Sequence, residues 1–358
     1  MTMSFAPVAS RMLRRVLGWR DLEESADRIV QISPAEEMPM AEAIYLPGQL
    51  ERIRGTHSWE NDLKHEIALT TEGQLSNLAS SAYRIRHAVV GQGRVSTWTG
   101  YKDLSLRKAG GGPLWIEETL AEGALCSTWQ GNDYFAHFLF DDAAIHPLGQ
   151  PLGLPFFSGM AATRTRHCVD YLARFGFDYH EKRNIHVDAL WLFRDFAFGP
   201  DKRRRLKAMA ARVKAGTPQG RAAPGAFIRR GSTGQVRVLE NAAEIEAWCL
   251  AQGFVIVDPE AQSVEEICAA LRGVPLVIGV EGSQLVHALF SMAEGGAIIC
   301  IQPPDRYNAV FRQLCAVFDL RWGFVVAEGT VAGFRQDLDA LTATVDLVQG
   351  RIAAGGWA

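Results

Sequence analysis

The sequence predicts an α/β protein whose C-terminal half is a doubly wound parallel sheet. Three observations predict it. From about Gly225 to Ala358, short apolar runs alternate with helical periods, the pattern of a parallel sheet covered on both faces. The length of 358 residues, at roughly 150 per domain, suggests two domains. Hydrophobic residues make up 48% and charged ones 22%, enough apolar surface to bury sizeable cores and too much for a disordered tail.

The first elements are the least regular. Met1 to Arg20 carries Arg11, Arg14, Arg15 and Arg20 but no apolar core followed by a small-residue cleavage site, so it does not read as a signal peptide. Tyr83 to Val90 and Arg94 to Trp98 read as strands, Tyr134 to Ala144 as a helix, and Pro155-Phe156-Phe157 as a strand. A helix from Thr163 to Phe175 follows, then strand-like runs at Ile185-His186-Val187 and Leu190-Trp191-Leu192-Phe193. This half reads as a second α/β layer domain. A basic helix with Lys202, Arg203, Arg204, Arg205 and Lys207 leads into an Ala/Gly/Pro-rich linker, Ala215 to Gly225. The expected division is a helical segment 1–40, an α/β domain 41–214 and a Rossmann-like domain 215–358. No internal repeat is found.

The C-terminal half is punctuated clearly. Ala226-Phe227-Ile228 is a short buried strand, followed by a turn at Gly231-Ser232-Thr233-Gly234. Asn241 with Glu244 has the form of a helix N-cap and its reciprocal glutamate, and the helix they open stops at Gly253. Phe254 to Val257 is the second strand. Ser263 and Glu266 repeat the capping arrangement over a helix with Ile267, Ala270 and Leu271 inward. Pro275 to Val280 is the third strand, Leu285 to Ala293 a helix, and Ala297 to Ile301 the fourth strand. Asn308 to Leu320 is helical, Gly323 to Val326 is the fifth strand, and Asp337 to Ala354 a last amphipathic helix.

Composition excludes several classes. A net charge of −3 and a pI near 6.3 argue against a dedicated nucleic-acid binder. No stretch of 18 apolar residues lacks charge or frequent Gly, so no membrane-spanning helix is expected. The six cysteines (Cys126, Cys168, Cys249, Cys268, Cys300 and Cys315) are scattered without a C-x-x-C pair, which predicts buried thiols in a reduced compartment and not a disulfide framework. A cytoplasmic protein is expected. Met12 to Leu17 and the basic helix could touch the inner face of an anionic membrane, or be solvated faces.

Familiar signatures are missing: no G-x-x-x-x-G-K-[ST] loop, no H-E-x-x-H, no G-x-S-x-G. Gly91-Gln92-Gly93 lacks a third glycine and precedes a strand. Asp337-Leu338-Asp339 resembles a metal-binding D-x-D but reads as a solvated helix face. The strongest local feature is Glu281-Gly282-Ser283-Gln284, at the carboxyl end of a buried strand and the start of a helix, where ligands bind in open α/β sheets. Gly282 lets a ligand approach the backbone, the helix-start amides favour a diphosphate, and Glu281 is suited to sugar or ribose hydroxyls. The same residues would also make an ordinary strand–helix turn with a Ser cap. Gln302 ends the next strand at the same edge and could read a base or sugar. Arg229 and Arg230, with Arg237 a weaker candidate, are potential phosphate clamps or a generic basic turn. In the N-terminal half, Asp133, His137 and Asp141 lie four apart on a predicted helix face. A His beside carboxylates is a proton acceptor in principle, or a satisfied core residue.

Taken together these stretches resemble glycosyltransferase family 61, including its bacterial capsular and exopolysaccharide members. Asn132 to Asp141 looks like the family's Asn-Tyr-(Phe)-His-Trp/Phe-Leu-x-Asp segment. Ala226 to Arg230, Arg237 to Asn241 and Gly253-Phe254 follow in the family's order, and Glu281 to Leu285 stands where the family has His-Gly-Ala-x-Leu. Glu281 thus replaces the usual His, and Ile301 or its neighbour replaces an acidic residue, differences that bear on which donor is taken. The resemblance covers roughly Trp129 to Ala327.

What the resemblance implies is a GT-B-like architecture, with two Rossmann-like domains facing across a cleft. It also implies inverting transfer from a nucleotide-sugar donor to a hydroxyl of a growing polysaccharide or lipid-linked glycan, with no cofactor and no obligatory metal. The base would be His137 or Asp141. The diphosphate would sit on Gly282, Ser283 and Arg229 or Arg230, and Glu281, Gln284 and Gln302 would help hold the donor. The other classes that fit are a catalytically degenerate nucleotide- or glycan-binding protein of this fold, and an unrelated doubly wound epimerase or hydrolase.

Overall fold

The computed structural model describes residues 2–17, 21–56, 62–106, 112–159, 166–219, 222–232 and 236–355. Thr233 and Gly234 of the expected turn, and the first residues of the helix expected from Thr163, lie outside them. The chain forms two compact units, one from Met1–Glu36 with Asn77–Leu206 and the other from Glu37–Ser76 with Lys207–Ala358. Residues 41–76, expected with the N-terminal domain, therefore build the second unit.

The first unit is organised by a mixed sheet. Its strands are β1 (Arg28–Ser33), β2 (Ser80–Gly91), β3 (Arg94–Ser96), β4 (Tyr101–Asp103), β5 (Glu118–Leu125), β6 (Leu154–Ser158), β7 (Glu181–Lys182) and β8 (Ile185–Arg194). They run in the order β7-β6-β5-β8-β2-β3-β4, with β1 also on β2. From β7 to β8 the neighbours are parallel, and from β8 to β4 antiparallel. A long antiparallel β2–β8 pair is not what a doubly wound domain contains, so among the described residues the Rossmann-like order belongs to the second unit.

The two strand-like runs expected around Ile185–Phe193 are one strand with a change of phase. Ile185 and Val187 face the core, and beyond Asp188 the core residues are Leu190 and Leu192. On β2 the phase changes likewise, from Val90 and Ala88 to Ile85. The pairing Val187↔Ala88 and Ala189↔Arg86 carries straight through, so Asp188 and His87 stand opposite each other at a double irregularity.

The helix expected over Tyr134–Ala144 is broken at its start. Trp129–Asp133 is capped by Thr128 and ends at Tyr134, whose backbone is extended (φ −134°, ψ 130°). The helix resumes at Phe135–His137, widens to a π turn over Phe138–Asp142 and continues as Ala143–Gly149.

The second unit holds five parallel strands: β9 (Ala226–Ile228), β10 (Val255–Val257), β11 (Leu276–Val280), β12 (Ala297–Gln302) and β13 (Arg321–Val326). Their spatial order is β10-β9-β11-β12-β13, which puts the topological switch point between β9 and β11. Strands β11 and β12 are buried throughout, as their unbroken apolar sequences require. Ser263 and Glu266 form the expected capping box on Val264–Leu271. Asn241 does not: it stands at the N-cap, but its side chain bonds Glu244 and both backbone groups of Gln336, which tie it to the chain before the last helix.

Residues 37–76 close the far edge of this sheet. Ile44 receives a hydrogen bond from Phe324 N and donates to Trp322 O, at 3.1 and 2.9 Å, while Gln49 Oε1 accepts from Val326 N at 2.6 Å. From the helix Leu63–Thr71, Glu66 accepts from Ala309 N at 2.8 Å, and Arg312 donates to the carbonyls of Ala41 and Leu69. An edge strand left open would be a template for aggregation, and here it is paired and covered. All six cysteines are buried thiols, including Cys249, Cys268, Cys300 and Cys315, whose apolar neighbours predict it.

Candidate functional site

In the second unit the expected ligand residues gather at the switch point. Strand β9 ends in Arg229-Arg230 and β11 in Glu281-Gly282, so the first residues beyond two adjacent strands meet. Arg230 donates from Nη1 to Gln284 Oε1 at 2.8 Å, and Gln284 is held in turn by donating to Val280 O at 2.6 Å. Arg237 pairs with Glu281 at 3.0 Å, both side chains almost fully buried. Gly282 lies beneath both guanidiniums. A Cβ placed there would come within 2.7 Å of Arg230 Nη1, 2.9 Å of Arg237 Nη1 and 2.6 Å of Gln284 Oε1.

Burial, with Arg237 and then Arg306 beside it, pulls the Arg230 guanidinium down to about 10, against a smaller opposite pull from Glu281. It stays charged at neutral pH, between the like charges of Arg237 and Arg306 and the opposing carboxylates of Glu281 and Glu260, and an added anion would favour its charged form.

The remaining candidates divide. Arg229 is committed to Glu246 (2.6 and 2.9 Å) and Asp258 (3.1 Å), carboxylates that hold its pKa up, so it is an ion-paired surface arginine and not an open clamp. Ser283 opens a single 3₁₀ turn before the short helix Val286–Ser291. Gln302 is fully buried, and its amide both donates to and accepts from the main chain of Asn308 (2.8 and 3.3 Å). It braces the loop and does not present its amide to a base. Asn308, which sequence reasoning passed over, uses that support to donate to Glu281 Oε1 at 3.3 Å. Glu281 is thus held by Arg237 and Asn308.

The first unit carries the other group. His137 Nδ1 lies 2.7 Å from Asp141 Oδ2, with the histidine half-exposed and the aspartate buried. Burial would raise the Asp141 pKa, but Lys202 and His137 outweigh it and hold the carboxyl below its ordinary value. Asp141 is therefore ionised at neutral pH and can only accept. Nδ1 is thus the donor in this bond, and in the neutral ring Nε2 is the nitrogen with the lone pair.

Lys202 has no exposed side-chain surface. Its ammonium donates to Asp141 Oδ1 (2.6 Å), Asp195 O (2.6 Å) and Phe196 O (3.3 Å), which uses all three protons. Arg205, also buried, bonds Asp195 and Asp201 at 2.7 Å each and the carbonyl of Ala144. Sequence reasoning missed these cations because it read the helix Pro200–Ala215 as a solvated or membrane-facing basic run. The signal was there: Lys202 lies on the apolar stripe Leu206, Met209 and Val213, all buried. Asp133 does not join the His137 face. The break at Tyr134 turns it toward Ser105 and the Leu106 amide.

Asp337 of the D-x-D accepts from the Asp339 amide at 3.0 Å and caps the last helix, as a surface reading predicts. Among the described residues, the grouping of metal-type donors is His87, His186 and Asp188, apart from the residues above.

The family model described as Glycosyltransferase 61 matches residues 135–299. Over that segment, a little under half of its length, the chain is similar to glycosyltransferase family 61. The family 61 segment takes in His137, Asp141, Lys202, Arg230, Arg237, Glu281 and Gln284, while Gln302 and Asn308 lie just past its end. As a glycosyltransferase family, it implies a sugar donor and a glycan acceptor. No curated protein matches the chain. Among solved structures, L-idonate 5-dehydrogenase from Escherichia coli is similar at 11% identity over 89% of each chain with a TM-score of 0.20, too little to carry an argument. No helix among the described residues is long and apolar enough to cross a membrane.

Proposed function

We propose that this chain is an inverting, metal-independent glycosyltransferase that moves a sugar from a nucleotide-sugar donor to a hydroxyl of a growing polysaccharide or lipid-linked glycan. The observation that carries the reading is the pair of guanidiniums, Arg230 and Arg237, converging over Gly282 at the switch point of a doubly wound sheet. Two fixed cations at the switch point suit a departing diphosphate, whose charge they stabilise as it develops.

In this reading the donor occupies the second unit. Glu281 sets the position of Arg237, and Gln284 that of Arg230. His137 is the base on the first unit, and Asp141 orients the ring and stabilises the imidazolium. In a single displacement the bond from the anomeric carbon to the diphosphate oxygen breaks as the acceptor oxygen bonds to that carbon. The hydroxyl proton passes to His137 Nε2 and the negative charge to the nucleotide diphosphate. A cytoplasmic enzyme of capsular or exopolysaccharide synthesis fits this chemistry. So does peripheral contact with a membrane carrying a lipid-linked acceptor: Met12 and Val16, exposed one turn apart, lie beside Arg11 and Arg15.

The test begins with thermal melting of the full chain in the presence of UDP-, GDP-, CMP- and dTDP-sugars, with and without EDTA. One nucleotide is expected to raise the melting temperature by mass action in both conditions, and Arg230→Ala to abolish the shift. His137→Ala is expected to keep the shift and lose about 10²–10⁴-fold in transfer rate. No shift with any nucleotide would defeat the donor-site assignment. Nucleotide binding without sugar transfer to any acceptor would favour the degenerate binding protein.

A further inference from the structure

We propose that His87, His186 and Asp188, none of which is assigned a part in the transfer, form a surface binding site for a divalent ion of the zinc class. One ligand atom from each lies within 4.8 Å of the other two. His87 Nδ1 is 3.6 Å and His186 Nδ1 3.5 Å from Asp188 Oδ1. Zinc bonds of about 2.0–2.2 Å to nitrogen and oxygen put neighbouring ligands of a tetrahedron about 3.4 Å apart, so both His–Asp edges are already near the required length. Two imidazoles and one carboxylate, with a fourth position open to water, form a borderline donor set that suits zinc better than magnesium or calcium.

The backbone supplies an independent observation. His87 has φ +49°, a left-handed conformation rare for a residue with a side chain inside a strand. It occurs at the double irregularity, where β2 and β8 both change phase without losing register. The change places His87 opposite Asp188, and His186 lies two residues along on the same outward face. The imidazole planes are nearly parallel, at 10°, with centroids 5.9 Å apart, and both rings face the one carboxylate. A divalent ion satisfies all three groups at once.

The experiment is isothermal titration of zinc sulfate into the chelator-stripped full chain, alongside the same titration of His87→Asn and Asp188→Asn. Asparagine tolerates the left-handed backbone at position 87, and the Asp188 side chain is half-exposed, so both variants are expected to keep the wild-type circular dichroism and nucleotide-induced melting shift. One equivalent of zinc should bind the wild type and raise its melting temperature, and each substitution should weaken binding by about tenfold or more. Absence of a one-equivalent site, or a site of unchanged affinity in both variants, overturns the proposal. Transfer activity is expected to be the same with and without the ion, so the site and the transferase reading fail independently.

Discussion

At the scale of single residues, the histidine dyad depends on a charge buried behind it. Asp141 is locked between His137 and the inaccessible Lys202, so Asp141→Asn would leave an ammonium buried without its partner. Loss of about 3–5 kcal/mol is expected at neutral pH in urea unfolding. The pH dependence has a definite sign. The folded-state pKa of Asp141 lies below its unfolded value, so its contribution is complete above the ordinary carboxylate pKa of about 3.9. It is lost as pH falls through the lower, folded-state value. The stability gap between wild type and Asp141→Asn should therefore be constant from about pH 7 to 5 and narrow below about pH 4. A gap that closes near pH 6 instead would mean the carboxyl is not held ionised. The sequence made His137 and Asp141 visible through their spacing of four. It hid Lys202, because a cation on an apolar stripe looks solvated until the carboxylate it neutralises is known to be underneath.

At the scale of elements, the switch point is where sequence and structure agree most closely. Buried parallel strands have continuous apolar sequences and their ends carry turn residues, so β9, β11 and β12 could be bounded from the sequence, and with them the positions of Arg230 and Glu281. Side-chain direction could not. Arg229 and Arg230 are adjacent and chemically identical, and the strand's alternation sends one to Glu246 and Asp258 and the other to Gln284. The mixed sheet of the first unit was less legible because its phase changes at Asp188 and His87 make one strand look like two. Gly282 allows a direct test of the switch-point geometry. An added methyl would meet only flexible side-chain ends, but at φ +155° it would sit on a backbone that favours glycine, so Gly282→Ala is expected to fold with a lowered melting temperature, while Arg230 and Arg237 are pushed apart. Nucleotide-sugar affinity should drop about tenfold or more, since hydrogen bonds to charged groups contribute about 1.5–3 kcal/mol. Unchanged affinity would show that the two guanidiniums are not the anion's ligands.

At the scale of the whole molecule, the sequence marked the linker near Ala215–Gly225 and so suggested that the C-terminal half is self-contained. It is not. Ile44 is part of its core beside Phe227, Ile299 and Val348, and residues 41–69 satisfy backbone and arginine donors around β13 and the helix that precedes it. Little in the local pattern announces this, because the stretch at 41–49 that follows the edge is irregular and the helix Leu63–Thr71 beyond it is only nine residues long. A fragment 207–358 is expected to lack the dispersed amide spectrum of a folded domain and to be cleaved rapidly by protease, whereas the fragment joined through a short linker to residues 37–76 should resist. The discontinuity also bears on biosynthesis. Residues 37–76 leave the ribosome long before Arg321–Val326 is made, and at about 5–20 residues per second the interval is on the order of tens of seconds. The first unit can complete itself from Asn77–Leu206 during that interval, but the second unit must assemble after synthesis is nearly finished, when its two distant pieces first coexist. A ribosome stalled before Arg321 would thus carry one finished unit and one waiting for its edge, which makes late truncation of the message more damaging to this protein than its linker suggests.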